Sequence, residues 1–200
     1  MNDAASTVDG PILTVVGQKV ALGPLPKESA VSLGVKWLND LEVTRTLSIT
    51  AGRPFTLEAE QDWYDRVSRS DSDVLFAIYE RATRRIIGST GLHRIDHFNR
   101  TAEFGILIGE KDCWGKGFGT ETARLMLDYA FNVLGLHNVM LKVFSYNERG
   151  IRAYARAGFK VIGRRREAHR LGGRAFDEIF MDCLATEFEG SAFAGILPTG

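Results

Sequence analysis

The chain has little of what marks a specialised setting. Two cysteines, Cys113 and Cys183, in 200 residues cannot build a disulfide framework, and they point to a reducing compartment, here expected to be the cytoplasm. No apolar run reaches the ~18 residues a membrane span requires. The polar, acidic start (Asn2, Asp3, Asp9) lacks the basic and apolar regions of a signal peptide. Net charge is missing too: 25 basic residues cancel 25 acidic ones, so no global field favours nucleic acid or an anionic membrane. His93, His97, His137 and His169 show no metal-ligand spacing among themselves or with the cysteines. No metal is therefore expected, and each histidine is expected at the surface or in a turn. A Gly-x-Ser-x-Gly elbow is absent, which disfavours a hydrolase of that kind.

What is there fits one soluble globular domain with a sizeable core, 44% hydrophobic and 25% charged. No repeat, low-complexity block or linker divides it. Residues 1–10 are expected as a loose tail, 11–188 as the domain and 189–200 as a C-terminal tail. Ile12 to Leu25 is β-rich around a turn at Gly17-Gln18. A helix opens at Pro26-Lys27-Glu28 and stops at Asn39-Asp40, a short one follows to Leu47, and Ser48 to Pro54 is a loop. Thr56 caps a helix to about Arg69. Val74–Tyr79 and Ile86–Leu92 form a hairpin, and Ala102–Ile108 a third strand, in which Gly105 suggests a bulge or a close backbone approach. Ala123, Met126, Leu127, Ala130 and Leu134 are a helical core stripe ended by Gly135. Val139, Leu141 and Val143 alternate as the next strand, which makes a βαβ unit with parallel strands. Asn147 caps a last helix, with Ile151, Tyr154 and Ala155 on one face and Gly158 as its stop. Phe159–Gly163 and Phe176–Leu184 pair across Leu171-Gly172-Gly173. The expected fold is a single α/β domain with a mixed, mostly antiparallel sheet.

The chain is organised around Trp114-Gly115-Lys116-Gly117-Phe118-Gly119-Thr120, between a strand and the clearest helix. Glycines at alternate positions let a turn tighten and bring its amides close to a ligand. Such a turn makes an anion nest, and the helix N-terminus behind it adds positive potential. Neither the dinucleotide fingerprint nor the Walker A spacing fits, so an ordinary tight connection stays open on this stretch alone. Tyr154 is either a core tyrosine or a general acid. Glu103 is either a strand-edge carboxylate or a group acting on an amine through water. Cys113, beside Trp114, is either a nucleophile or, as the commoner role, a small buried filler. Arg164-Arg165-Arg166, with Lys160, Arg170 and Arg174, reads as a solvated face, with nucleic acid as the minority reading.

Taken in order, Ala102-Glu103-Phe104-Gly105, the glycine turn with Glu121, Asn147-Glu148-Arg149, Tyr154 and Ala157-Gly158-Phe159 resemble the GCN5-related N-acetyltransferases. Within them the chain is most similar to the ribosomal-protein alanine and spermidine acetyltransferase branch. The resemblance covers about residues 18–188 and is strongest over 102–160. It implies acetyl transfer from acetyl-CoA, as cosubstrate, to a primary amine, either a small-molecule amine such as a polyamine or a protein N-terminus, by direct attack in a ternary complex. It implies a sheet with a splayed central parallel pair, the pantetheine arm along Ile106, Leu107 and Ile108, and the pyrophosphate on Trp114, Gly115, Lys116, Gly117, Phe118, Gly119 and Thr120. Trp114 stands where the family has Gln or Arg. Asn147 matches a cofactor-side asparagine, Tyr154 the tyrosine that protonates the departing thiolate, and Glu103 a strand carboxylate that assists deprotonation. A CoA-binding regulatory domain and a ribosome- or RNA-associated module stay as alternatives, and a homodimer is left open. In such enzymes the first helices wall the acceptor side. Six acids within one short stretch (Glu58, Glu60, Asp62, Asp65, Asp71, Asp73), against Arg66 and Arg69, would there attract a cationic acceptor.

Overall fold

A computed structural model describes residues 10–47, 54–190 and 192–193. Eight strands form one open sheet: β1 (Val15–Val16), β2 (Val20–Gly23), β3 (Val74–Glu80), β4 (Ile86–Asp96), β5 (Thr101–Ile108), β6 (Asn138–Phe144), β7 (Lys160–Leu171) and β8 (Arg174–Leu184). Their order across the sheet is β1-β2-β3-β4-β5-β6-β8-β7. Every neighbouring pair is antiparallel except β5 and β6, the two strands joined by a helical crossover. The helices are α1 (Lys27–Leu38), α2 (Leu41–Thr44), α3 (Leu57–Val67), α4 (Phe118–Asp128) and α5 (Glu148–Ala157). No helix among the described residues is long and apolar enough to cross a membrane.

The period-2 alternation of the strands gives the sheet two different faces. On one, Leu92, Phe104, Val139, Leu141 and Met181 bury against Ala123, Met126, Leu127 and Ala130 of α4 and its continuation, which is the main core. The stripe read from the sequence is this face, although the helix widens into a π-turn at Tyr129–Val133 before Gly135 (φ +65°) ends it. On the other face a smaller cluster of Leu25, Ala30, Ala77 and Tyr79 lies beneath α1 and α3, and Tyr64 of α3 donates its hydroxyl to the Leu25 carbonyl at 2.9 Å. Helix starts follow the expected chemistry. Thr56 accepts from the Ala59 amide and Asn147 from the Gly150 amide.

Several details differ from the expectations. α2 ends at Thr44 rather than Leu47, while residues 48–53 of the expected loop, like 1–9 of the N-terminal tail, lie outside the described residues. Gly105 makes no bulge: it pairs in register with Gly91, and the irregularity in that ladder falls between His93 and Asp96, where Arg94 is left-handed (φ +51°). Ala155 is exposed, because α5 ends at Ala157 and that residue instead turns inward. β7 runs on to Leu171, far beyond Gly163, since its outer half is polar and is held by pairing to β8 rather than by burial of its own side chains. The stretch after Phe188 also carries contacts: Arg124 donates to the Glu189 carbonyl, the Ala192 amide to the buried Asp128, and Phe193 packs beside Tyr129. Phe193 is 7% exposed, so Phe193→Ala should lower unfolding stability by about 3 kcal/mol with an unchanged denaturant m-value.

Candidate active site

β5 and β6 are paired only over Thr101↔Asn138, Ala102↔Val139 and Glu103↔Met140. Beyond that point they part. The Gly109 amide donates to the Ile87 carbonyl at 3.0 Å, which fixes the alternation of the β4–β5 ladder. The peptide groups of Glu103, Gly105 and Leu107 therefore point to β4, while those of Phe104, Ile106 and Ile108 point into the opening. Consistent with this, a Cβ added at Gly88 would lie 2.0 Å from the Leu107 carbonyl oxygen. Of the three residues read as the pantetheine edge, Leu107 thus offers the opening its side chain only. The Ile108 carbonyl is also occupied, accepting the Trp114 indole N–H at 2.8 Å. The Phe104 amide still serves the last parallel pair, so the Phe104 carbonyl, Ile106 and the Ile108 amide are what the parted edge leaves free.

The glycine turn closes one end of the opening. Gly115 (φ +76°) and Gly117 (φ +88°) are both left-handed, and nothing lies within 4 Å of a Cβ built at Gly115 or Gly119. The turn thus has the open, strained-for-other-residues backbone of a nest, with α4 starting at Phe118 behind it. It is braced from a distance. The Glu121 carboxylate accepts the Gln18 and Lys19 amides, the latter at 2.9 Å, and Lys19 Nζ donates to the Lys116 carbonyl at 3.0 Å.

α5 forms the opposite wall. Arg149, Arg152 and Arg156 line the cavity beside the nest, and the Arg149 guanidinium lies 4.2 Å from the centre of the Trp114 ring. Arg149 belongs to the Asn147-Glu148-Arg149 motif, Arg152 and Arg156 to none, and the i, i+3, i+7 spacing of the three puts them on one helical face. Tyr154 packs edge-on against Phe104 (6.2 Å) and Phe159 (6.1 Å). Burial pushes its hydroxyl up to about 12, against a downward pull from Arg149. No described residue hydrogen-bonds that hydroxyl.

Two cavities, of about 200 Å³ beside the nest and about 820 Å³ beneath α1 and α3, share Thr46, Leu47, Ile106, Leu107, Asn147 and Tyr154 in their linings. They are the two mouths of one cleft that passes through the parted strands. The acidic stretch is divided by the fold. Glu60 and Asp73 line the larger cavity; Asp65 is tied to Lys27 at 2.6 Å, while Glu58, Asp62 and Asp71 face solvent. Glu60 is 5% exposed with no described partner for its carboxyl, and burial pushes its pKa up. Glu103 also lines this cavity, but each oxygen already has a cation: Arg94 at 2.6 Å and Lys142 at 3.1 Å. It could accept a proton only by giving up one of them, so the geometry is that of a charge anchor rather than a free base.

Among the described residues no three His, Cys, Asp or Glu side chains gather as metal ligands. Cys113 is buried and free, its thiol pushed up by burial, in keeping with the filler reading. Arg164, Arg165, Arg166, Arg170 and Arg174 line neither cavity.

The model of the acetyltransferase (GNAT) domain matches residues 19–160. The chain belongs to this family. It is an N-acetyltransferase, and its relatives include the uncharacterized N-acetyltransferase p20 of Bacillus licheniformis, 30% identical over 88% of this chain and 99% of the relative. The spermidine N(1)-acetyltransferase of Escherichia coli K12 is 36% identical over 51% of this chain and 53% of its own. The fold is also that of the spermidine N-acetyltransferase of Vibrio cholerae solved with CoA and spermine, at a TM-score of 0.77 and 23% identity, covering 86% of this chain and 98% of that one.

The Trp114 contact is open to test. Trp114→Phe keeps a ring for Arg149 but strips the Ile108 carbonyl of its donor, and is expected to reduce unfolding stability by about 1 kcal/mol in chemical denaturation.

Proposed function

We propose that this acetyltransferase moves the acetyl group of acetyl-CoA to a cationic primary amine, of the polyamine kind, with the two substrates meeting at Tyr154. The observation that carries the reading is the single cleft through the parted strands, basic and nest-lined at one mouth and lined at the other by three acids (Glu60, Asp73, Glu103) set among three cations (Arg66, Arg94, Lys142). A pyrophosphate suits the amides of Gly115 to Thr120, the N-terminal end of α4 and the three arginines of α5. An amide-bearing arm suits the free Phe104 carbonyl and the Ile106 peptide groups, to which it would add like a strand. At the other mouth Glu60 is a buried carboxyl without a described countercharge, which an ammonium group would supply. Relatives of this chain carry spermidine in their names, which agrees with that chemistry.

Acetyl-CoA supplies an activated thioester, and the chain supplies position and protons. Holding the amine and the thioester in one cleft removes most of the entropic barrier to their meeting. Tyr154, pushed up to about 12, keeps its proton throughout the working range and offers it to the sulfur as negative charge develops there. Asn147 keeps α5 at the height that puts Tyr154 at the junction, through the cap it gives the Gly150 amide.

Two outcomes check this reading. Gly117→Val forces a branched residue into the left-handed region, a strain of roughly 1–3 kcal/mol, and in the folded variant it should weaken acetyl-CoA binding by about tenfold or more in calorimetry. Tyr154→Phe should leave that affinity intact while kcat for spermidine acetylation falls ~10²-fold. An unaltered kcat would favour the core-tyrosine role, and a wild-type protein that binds CoA but acetylates no amine would favour the regulatory alternative.

A further inference from the structure

Resting on that reading, we propose that His93, oriented by Asp73, is the catalytic base that takes a proton from the acceptor amine. His93 stands on β4 directly across the ladder from Glu103, on the sheet face that floors the larger cavity. Its neighbours on that face are Gly91 and Gly105, a directly opposed pair. A Cβ built at Gly91 would lie 3.1 Å from His93 Nε2, and one at Gly105 would lie 3.2 Å from the same atom. The two glycines therefore clear a bed on which the imidazole lies, with Nε2 above β5. The close approach that Gly105 permits is made by this ring.

The other ring nitrogen is held. Nδ1 is 2.8 Å from Asp73 Oδ1, and Ser70 donates its hydroxyl to the second oxygen of Asp73. Burial pulls the Asp73 carboxyl up, but the hydrogen bonds from Ser70 and His93 outweigh it and hold it below the usual range. A carboxylate there accepts Nδ1–H, which leaves the lone pair on Nε2. That nitrogen sits over Gly105, one residue before Ile106, where the free edge of the parted strand and Tyr154 border the same cavity. The charged groups around the ring are Asp73 before β3, Glu103 on β5 with its partners Arg94 and Lys142, and Glu60 and Arg66 of α3. Of the acids, Glu103 already has a cation on each oxygen and Glu60 is buried against Gly34, where a Cβ would come within 2.5 Å of its Oε2. His93 is the group at this mouth with an oriented lone pair.

The protons balance as follows. The acceptor arrives as an ammonium and must lose two protons to become the amide nitrogen. One goes to His93 Nε2, freeing the lone pair that forms the bond to the carbonyl carbon. The carbon–sulfur bond breaks with its electron pair on sulfur. Tyr154 gives its proton to that sulfur, and the second proton from nitrogen restores the Tyr154 hydroxyl. The products are the acetylated amine, CoA thiol and a protonated His93, which returns its proton to solvent.

The test uses the whole chain, acetyl-CoA and spermidine, with kcat and kcat/KM followed from about pH 5 to pH 9. His93→Gln is expected to lower kcat ~10²-fold or more, to abolish the fall of rate on the acid side, and to leave CoA affinity unchanged. Asp73→Asn keeps the ring but not its tautomer, and should give a smaller loss with the acid limb still present. Imidazole added to His93→Ala should restore part of the rate. An acid limb retained in His93→Gln overturns the assignment whatever happens to kcat, because a merely structural histidine would behave that way. A wild type that turns over none of the amines tried would instead sink the acetyl-transfer reading itself.

Discussion

Two strands that run together for three residue pairs and then part set the terms for the rest of the molecule. Peptide groups without partners are tolerated only where something else can satisfy them. Here the parting is stabilised from outside: β4 pairs with β5 as far as Ile108, and β8 pairs with β6 over its whole length from Asn138 to Phe144. Each strand is anchored on its far side, so neither can close the opening by sliding toward the other. Trp114 satisfies one of the exposed carbonyls, which shortens the free edge to the Phe104 carbonyl, Ile106 and the Ile108 amide.

The same parting separates a basic lining from a mixed one. Arginines of α5 and the start of α4 gather at one mouth, while at the other Glu60, Asp73 and Glu103 stand among Arg66, Arg94 and Lys142. A chain with no net charge thus presents a basic pocket and one of mixed charge a few side chains apart. The field that matters is local, and overall composition is silent about it.

Much of this was legible in the sequence because it rests on local rules. The α4 stripe, the cap at Asn147, the stop at Gly158 and the parallel relation of β5 to β6 each follow from period, capping or handedness. What was missed depends on register. Leu107 and Ile106 are adjacent apolar residues, and only the ladder reveals that their peptide groups face opposite ways. His93 was tested for metal spacing, whereas its partner Asp73 lies twenty positions away and is brought alongside by the β3–β4 hairpin. Glu103 looked free because its cations come from β4 and β6. The outer half of β7 has no apolar alternation of its own, so its strand character belongs to β8. Arg152 and Arg156 are the exception, since helical spacing alone sets them on one face with Arg149 of the motif.

The brace between Glu121 and the β1–β2 turn carries a consequence for how the protein forms. The Gln18 and Lys19 amides meet a carboxylate more than a hundred positions away. Closing so long a loop has an entropic cost that shorter hairpins avoid, so contacts of this type come late in folding. The segment from β5 to α5 holds the recognisable motifs, yet on its own it lacks the buttress that steadies its glycine turn. A nascent chain emerges with that buttress first and must keep it available until the turn has been synthesised. The anion nest is therefore a product of the completed topology, and a fragment containing every motif residue would still lack part of it.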